Sequence, residues 1–313
     1  MILSQAIEAL TPALTVTPRF AVVTAVIAEG HLTAYNGEIL GQAPIDLDVE
    51  VMLNAERLQK VWRDNSRMSI GEKRVTIKSG RTEFRLNRLF DEPPRPPLVT
   101  EQPEIKLTNI QRQAILLAAK FASLNAIHPW ACGVGVTRHG LIATNNQVLV
   151  RIPCEFEWEL TLPFWAVNLL NRDTSLPTMS VDERMIKFTW EDGVILQAQR
   201  LSADFPVQVF GLAEHLTEEA TDPVDLSLVL EEADKLENHL CRLGPEGLVI
   251  ETRDAEQAVV ADARFSGEFQ LSMATAKLVF EHATHISFAD APERLRFSKS
   301  TEPKLIGFAA GMR

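Results

Sequence analysis

Cysteine is scarce: Cys132, Cys154 and Cys241 are odd in number, far apart and form no CxxC pair. That argues against a disulfide framework or a zinc ribbon and fits a reducing cytosol. Long apolar runs are missing as well, and none approaches the roughly 18 residues that a membrane span needs. The opening MILSQAIEAL has no basic run and carries Glu8, so no signal peptide is predicted. There is no GxxxxGK[ST] and no GxSxG, and GVG at 133–135 lacks the remainder of a phosphate loop. The five tryptophans are scattered and make no stacking platform for single strands. HATH places His282 and His285 three apart, a spacing that could seat a metal, but no third ligand is evident; structural histidines at a helix end are the plainer reading. Asp46, Asp48 and Glu50 alternate on one strand face, which an acidic exterior explains more simply than catalysis. Positive charge is in deficit too, with 31 Lys and Arg against 42 Asp and Glu and a net charge of −11. This argues against a surface coated with phosphate contacts, yet it leaves room for a basic face segregated from an acidic exterior.

What the chain does have is repetition. Its 313 residues exceed one compact core, and 46% hydrophobic content is enough to bury several without staples. HLTAYN from His31, GLIATN from Gly140 and GLVIET from Gly247 recur, with Leu32, Leu141 and Leu248 spaced 109 and 107. Each is followed by further alternating residues, as in EILGQAPIDLDVEV, QVLVRIPCEFEWEL and QAVVADARFSGEFQL, which read as strands with one buried face. Helical segments follow at 54–65, 163–173 and 272–283, behind Leu53, Leu162 and Leu271, spaced 109 and 109. Asn54 and Ser272 stand where N-caps belong, and Pro163 suits a first helical turn.

Each repeat then closes on a hairpin: RVTIKSGRTEFRL, MIKFTWEDGVILQAQRL and LRFSKSTEPKLIGFAAGM, starting at Val75, Ile186 and Leu295. Each also opens on a helix, predicted at 3–14, 107–123 and 226–240. DEPPRPPLV (91–99) and EHLTEEATDPVD (214–225) read as connectors, the first a stiff polyproline linker. The expectation is an α+β chain of three similar domains, 1–97, 103–212 and 222–313, each with two helices against antiparallel sheets. Such domains join head to tail, and a head-to-tail contact closes into a ring when the rotation allows.

Several stretches resemble one family. VTIKSGRTEFRL (75–86) is similar to the end of the first domain of the bacterial sliding clamp, the beta subunit of DNA polymerase III. RLSADFP (200–206) looks like that family's exit from its second domain, and FAAGMR resembles its C-terminus. The likeness runs the length of the chain at low identity, and the chain is shorter than typical bacterial members, as a divergent or viral member would be. It implies the DNA clamp fold, with each chain forming half of a homodimeric ring around duplex DNA. The ring would tether the replicative polymerase as a processivity factor, without catalysis, cofactor or metal. It would sit in the cytoplasm, the host's if the chain is viral, and away from membranes. A clamp loader and a polymerase would dock through a peptide motif.

The resemblance also assigns residues. Arg57, Lys60, Arg63, Arg112 and Lys120 fall on helices that would face DNA without regard to sequence; the plainer reading is solvated helix faces. In the predicted helix 226–240, Lys235 is surrounded by acids, so a basic lumen would come mainly from the first two domains. A partner-peptide pocket between domains two and three would draw on Ala131, Thr144, Asn146, Leu149, Pro206, Phe308, Met312 and Arg313. The family's central Gly-His-Arg is replaced within TNNQVL, which bears on peptide preference; core roles for Leu149 and Phe308 are the plainer reading. Phe84 and Leu86 on an edge strand, with Leu236 and Leu240 opposite, would close the dimer, since a bare apolar edge invites pairing. Burial inside domain one is the alternative for the first two. A clamp-fold interaction scaffold that does not encircle DNA is the rival function, and an enzyme with a cleft between domains is the weakest.

Overall fold

Alternating apolar residues form strands at the repeat anchors, but residues 45–50, read as a strand face carrying Asp46, Asp48 and Glu50, lie between two strands and in neither. In the computed structural model the residues described are 1–17, 22–91, 95–99, 102–124, 126–172, 175–201, 203–214, 216, 219–220, 222–223, 240–245, 247–251, 257–260 and 265–311. Contacts divide the chain into two compact units. The first is Met1–Thr108 with Trp165–Arg200, and the second Asn109–Phe164 with Leu201–Arg313.

The first unit begins with α1 (Leu3–Ala9) and α2 (Thr11–Leu14). The sequence suggests one helix here, but Pro12 cannot supply an interior N–H and instead occupies the first turn of a second helix. Then come β1 (Thr24–Ala28), β2 (His31–Tyr35), β3 (Ile39–Pro44) and β4 (Val51–Asn54). α3 (Ala55–Val61) starts at Asn54, whose side chain accepts a hydrogen bond from the Arg57 backbone N–H at 2.9 Å. It stops four residues short of the predicted end. β5 (Arg67–Ile70), β6 (Arg74–Ser79) and β7 (Thr82–Asn87) form a three-stranded sheet, and β8 (Ile105–Lys106) follows.

The second unit opens on α4 (Asn109–Ala119) and a 3-10 turn, Pro129–Cys132. β9 (Gly133–Thr137), β10 (Gly140–Thr144), β11 (Val148–Ile152) and β12 (Leu160–Pro163) succeed it. Pro163 ends β12 rather than entering the helix α5 (Phe164–Leu169). The chain re-enters the first unit at Trp165, within α5, and continues there as β13 (Thr178–Val181), β14 (Met185–Thr189) and β15 (Ile195–Gln199). The rest of the second unit is α6 (Val207–Glu214), β16 (Asp222–Pro223), β17 (Leu240–Gly244), β18 (Gly247–Glu251), β19 (Gln257–Val260), β20 (Phe269–Ser272), α7 (Met273–His282), β21 (His285–Ser287), β22 (Arg294–Lys299) and β23 (Leu305–Ala310).

Among the described residues all strand pairings are antiparallel, and their order repeats. β4-β1-β2-β3, β12-β9-β10-β11 and β20-β17-β18-β19 are the same four-stranded sheet made three times. β5-β6-β7, β13-β14-β15 and β21-β22-β23 are the same three-stranded sheet. The anchors Leu32, Leu141, Leu248, Leu53, Leu162, Leu271, Val75, Ile186 and Leu295 are all fully buried. The opening strands β1, β9 and β17 escape the sequence reading. β1 (TAVIA) is too uniformly apolar to show alternation, and β9 (GVGVT) is rich in glycine.

Sheets also run across repeats. β3 pairs with β15, placing Gly41 opposite Leu196, and β11 pairs with β23, placing Leu149 opposite Phe308. Each junction turns a four-stranded and a three-stranded sheet into one of eight strands, with β8 or β16 at its far edge. Gly307 makes the second junction possible: a Cβ there would lie 2.5 Å from Phe297 Cζ and 2.9 Å from the Leu149 carbonyl oxygen.

Candidate functional site

In the second unit, one sheet face is apolar where a surface strand should be polar. Leu149 stands opposite Thr144 on one side and Phe308 on the other, and Phe308 stands opposite Arg296. Directly opposed residues project to the same face, as do residues two apart, so Ile142 and Ile306 belong to it as well. Phe205 and α6 cover this face. Ile142, Leu149, Phe205, Ala213, Leu216 and Ile306 form a buried cluster, against which Trp130, Val209, Phe210 and Phe308 pack. Trp130 and Phe210 flank Phe205 with ring centroids 5.2 and 5.9 Å away.

Beside the cluster is a groove of about 470 Å³, lined by Leu212 and Leu216, the 289–293 loop and the strand residues Arg294, Arg296 and Phe308. The Arg294 guanidinium lies over the Phe308 ring at 4.9 Å, and Arg296 donates to Asp290 at 2.8 Å. Leu212 is 44% exposed. An exposed leucine, a half-buried phenylalanine and two stacked or paired arginines give the groove an apolar wall and charged groups at its rim.

The predicted pocket residues sort into several environments. Phe308 lines the groove, and Leu149 and Ala131 are buried, Leu149 as its floor cluster. Pro206 is half-buried and its carbonyl accepts from the Val209 N–H, opening α6. Thr144 and Asn146 shape a turn. The Thr144 hydroxyl donates to the Val148 carbonyl at 2.6 Å and accepts from the Asn146 N–H at 3.1 Å, while Asn146 holds φ of 73°. Asn145 Oδ1 caps the same turn by accepting from Gln147 and Val148 N–H groups. Met312 and Arg313 lie outside the described residues. Sequence reasoning missed Trp130, Phe205, Phe210, Leu212 and Leu216. The signal available was VQVFGLAE behind Pro206, a proline-started apolar helix.

GVG at 133–135 is a packing device, not a phosphate cradle. A Cβ on Gly135 would meet the Phe205 ring at 3.0 Å, and one on Gly133 the Leu162 carbonyl oxygen at 2.6 Å. Cys241 and Cys154 are chemically quiet, since burial pushes the Cys241 thiol up to about 12 and that of Cys154 upward. His282 and His285 part company. His285 Nδ1 meets the Thr284 hydroxyl at 2.9 Å, while His282 lies edge-on to Phe121 at 5.4 Å. Burial, reinforced by Lys120, holds the His282 imidazole below its usual range.

The predicted cations are exposed in part. Arg57 and Lys60 project from α3, and Lys60 is paired with Glu56 at 2.6 Å. Arg63 lies two residues beyond α3, its guanidinium on the Trp62 carbonyl. In the second unit Arg112 is half-buried on α4, and Lys120, just past α4, faces Glu281 at 3.9 Å.

The predicted interface residues differ from one another. Phe84 is half-buried and Leu86 buried, on the same face as Val75 and Ile77 of β6. β7 is the outer strand of its sheet among the described residues, as is β19 of its own. Leu236 lies outside the described residues. Leu240 is not at a helix end: it begins β17, an interior strand between β18 and β20. The correction has a simple cause, because a leucine following apolar helical spacing fits either period over so few residues.

No family model matches the chain, and no curated protein matches its sequence. Solved structures do match. The beta subunit of the Streptococcus pyogenes DNA polymerase superposes with a TM-score of 0.77 at 14% identity, covering 100% of this chain and 99% of that one. DNA polymerase III beta subunit from Thermotoga maritima gives 0.76 at 16% identity, covering 99% and 97%. The Bacillus subtilis DNA polymerase sliding clamp gives 0.74 at 16% identity over the same shares. The chain has the sliding-clamp fold.

Proposed function

We propose, for a chain with the fold of bacterial sliding clamps, that it works as a clamp: a ring that encircles duplex DNA and tethers a polymerase. The twice-made strand junction carries the reading. β3 joins β15 and β11 joins β23, and each time the last strand of a four-stranded sheet meets the last strand of a three-stranded one. The same rule leaves β19 and β7 over, and they satisfy it only between two copies. A contact repeated this way is head-to-tail, and two copies with three repeats each close it into a ring. The repeats 1–97, 103–212 and 222–313 would then act as six equivalent domains.

DNA would be held by Arg57, Lys60, Arg63, Arg112 and Lys120 through phosphate alone, so the ring slides. Partners, a polymerase and a loader among them, would insert an apolar peptide side chain against Phe308 and Leu212, with Met312 and Arg313 at the lip. Phe84 would contribute to the subunit contact. No step calls for a catalytic group, cofactor or metal, and the cytoplasm is the expected compartment.

The test is mass and topology. The clamp weighs about 70 kDa in solution, twice the 34.9 kDa chain. Loaded on circular DNA it stays bound and is lost once the circle is cut. A stable monomer, or equal retention on circular and linear DNA, sinks the ring. A second reading, a clamp-fold scaffold that does not encircle DNA, draws on the pairing of Lys60 with Glu56 and the approach of Lys120 to Glu281. Those contacts reduce the charge offered to phosphate.

A further inference from the structure

The exposed face of the three-stranded sheet β5-β6-β7 carries positive charge that the clamp reading does not use. Residues 63–88 hold eight cations and three acids, in a chain whose net charge is −11. The register sorts them. Met68, Ile77 and Phe84 share one face with Ile70, Val75 and Leu86, which is the core side. The other face presents Arg67, Lys78 and Glu83 in one row, Ser69, Thr76 and Arg85 in the next, and Arg74 with Asn87 in the third. Four cations thus share a face with a single acid, and all four are exposed.

Glu83 engages both Arg85 and Lys78, at 2.8 and 3.3 Å. Arg67 and Arg74 are in no ion pair among the described residues. Arg67 also stands directly opposite Lys78 on the neighbouring strand. Like charges directly opposite each other across a ladder are destabilising. Folding alone does not select that arrangement.

We propose that this sheet face is a second nucleic-acid surface, binding the phosphate backbone without reading sequence. Its chemistry favours that occupant over a protein. Three of the four cations are arginines, whose planar forks match phosphate oxygens. Ser69, Thr76 and Asn87 stand between them as neutral donors of the kind that contact phosphate. The face offers no aromatic or aliphatic anchor, which a protein partner needs at the centre of its contact. Strand pairing at the β7 edge lies in the plane of the sheet and leaves this face open.

The experiment uses the full chain and a short fluorescent DNA duplex, titrated at several salt concentrations. The paired substitution Arg67→Gln and Arg74→Gln is compared with Arg57→Gln and Lys60→Gln, with mass and thermal unfolding measured for each. The sheet variant should keep its mass and melt no lower than the unsubstituted chain, and its slope of log affinity against log salt should shrink by about 2. An unchanged slope overturns the proposal. So does a slope that falls only together with the mass, because the face then serves a second copy rather than DNA. The ring reading is decided separately, since retention on circles depends on closure and not on this slope.

Discussion

Leu149 and Phe308 face each other across the β11–β23 ladder, although they come from different repeats of the sequence. One is core and the other lines the groove. The strand junction and the groove are therefore one construction, and damage to the first reaches the second.

Gly307 tests that link. Its substitution by Ala puts a Cβ 2.5 Å from Phe297 Cζ, in a strand with backbone on both sides. Overpacking of this kind costs about 1–3 kcal/mol. Urea unfolding of Gly307→Ala should show that loss; wild-type stability would mean the junction has slack.

Gln197 fastens the connector between the first two repeats to the sheet. It is fully buried, its Oε1 accepts from the Val99 N–H at 2.7 Å and its Nε2 donates to the Pro97 carbonyl at 2.8 Å. Lys187 Nζ adds a third tie, to the Val99 carbonyl at 2.6 Å. Gln197→Leu leaves Val99 N–H and Pro97 C=O without these partners and should cost about 2–4 kcal/mol. Amide exchange at Val99 should accelerate in step.

Phe84 and Leu86 let the proposed subunit contact be tested apart from the core, since Phe84 is half-buried and Leu86 buried. Phe84→Glu should give a folded chain of single mass by light scattering. Leu86→Asp buries a charge in the first unit and should cost more than about 3 kcal/mol, visible as loss of the cooperative melt. A folded double-mass Phe84→Glu protein would exclude this strand from the subunit contact.

His282 should make stability depend on acidity. Burial, then Lys120, lowers its affinity for a proton in the folded state, while Glu281 opposes them and Lys299 assists. The unfolded chain thus takes up the proton first. Stability should be unaffected above the ordinary imidazole value of 6.5 and fall as pH drops below it. Melting curves of His282→Gln should be flatter over that range, and an identical pH profile would remove the histidine from the account.

Much of the fold was legible because burial has a local period. TEFRL and RVTIK alternate, and β6 and β7 pair as that alternation predicts. Asn54 and Ser272 cap helices because their own short side chains reach the first free N–H groups. The groove was legible only at Leu149 and Phe308. Its other walls include Leu212, whose only signal was the apolar helix VQVFGLAE behind Pro206, and Asp290, in a loop that carries no period.

By itself the sequence determined three copies of one pattern and the residues each copy buries, since strand and helix periods are properties of neighbours along the chain. Tertiary structure decided which copies share a sheet. β3 finds β15 and β11 finds β23 through backbone edges that any strand possesses, so their choice rests on which edges remain open and which side chains, such as the absent one at Gly307, let them approach.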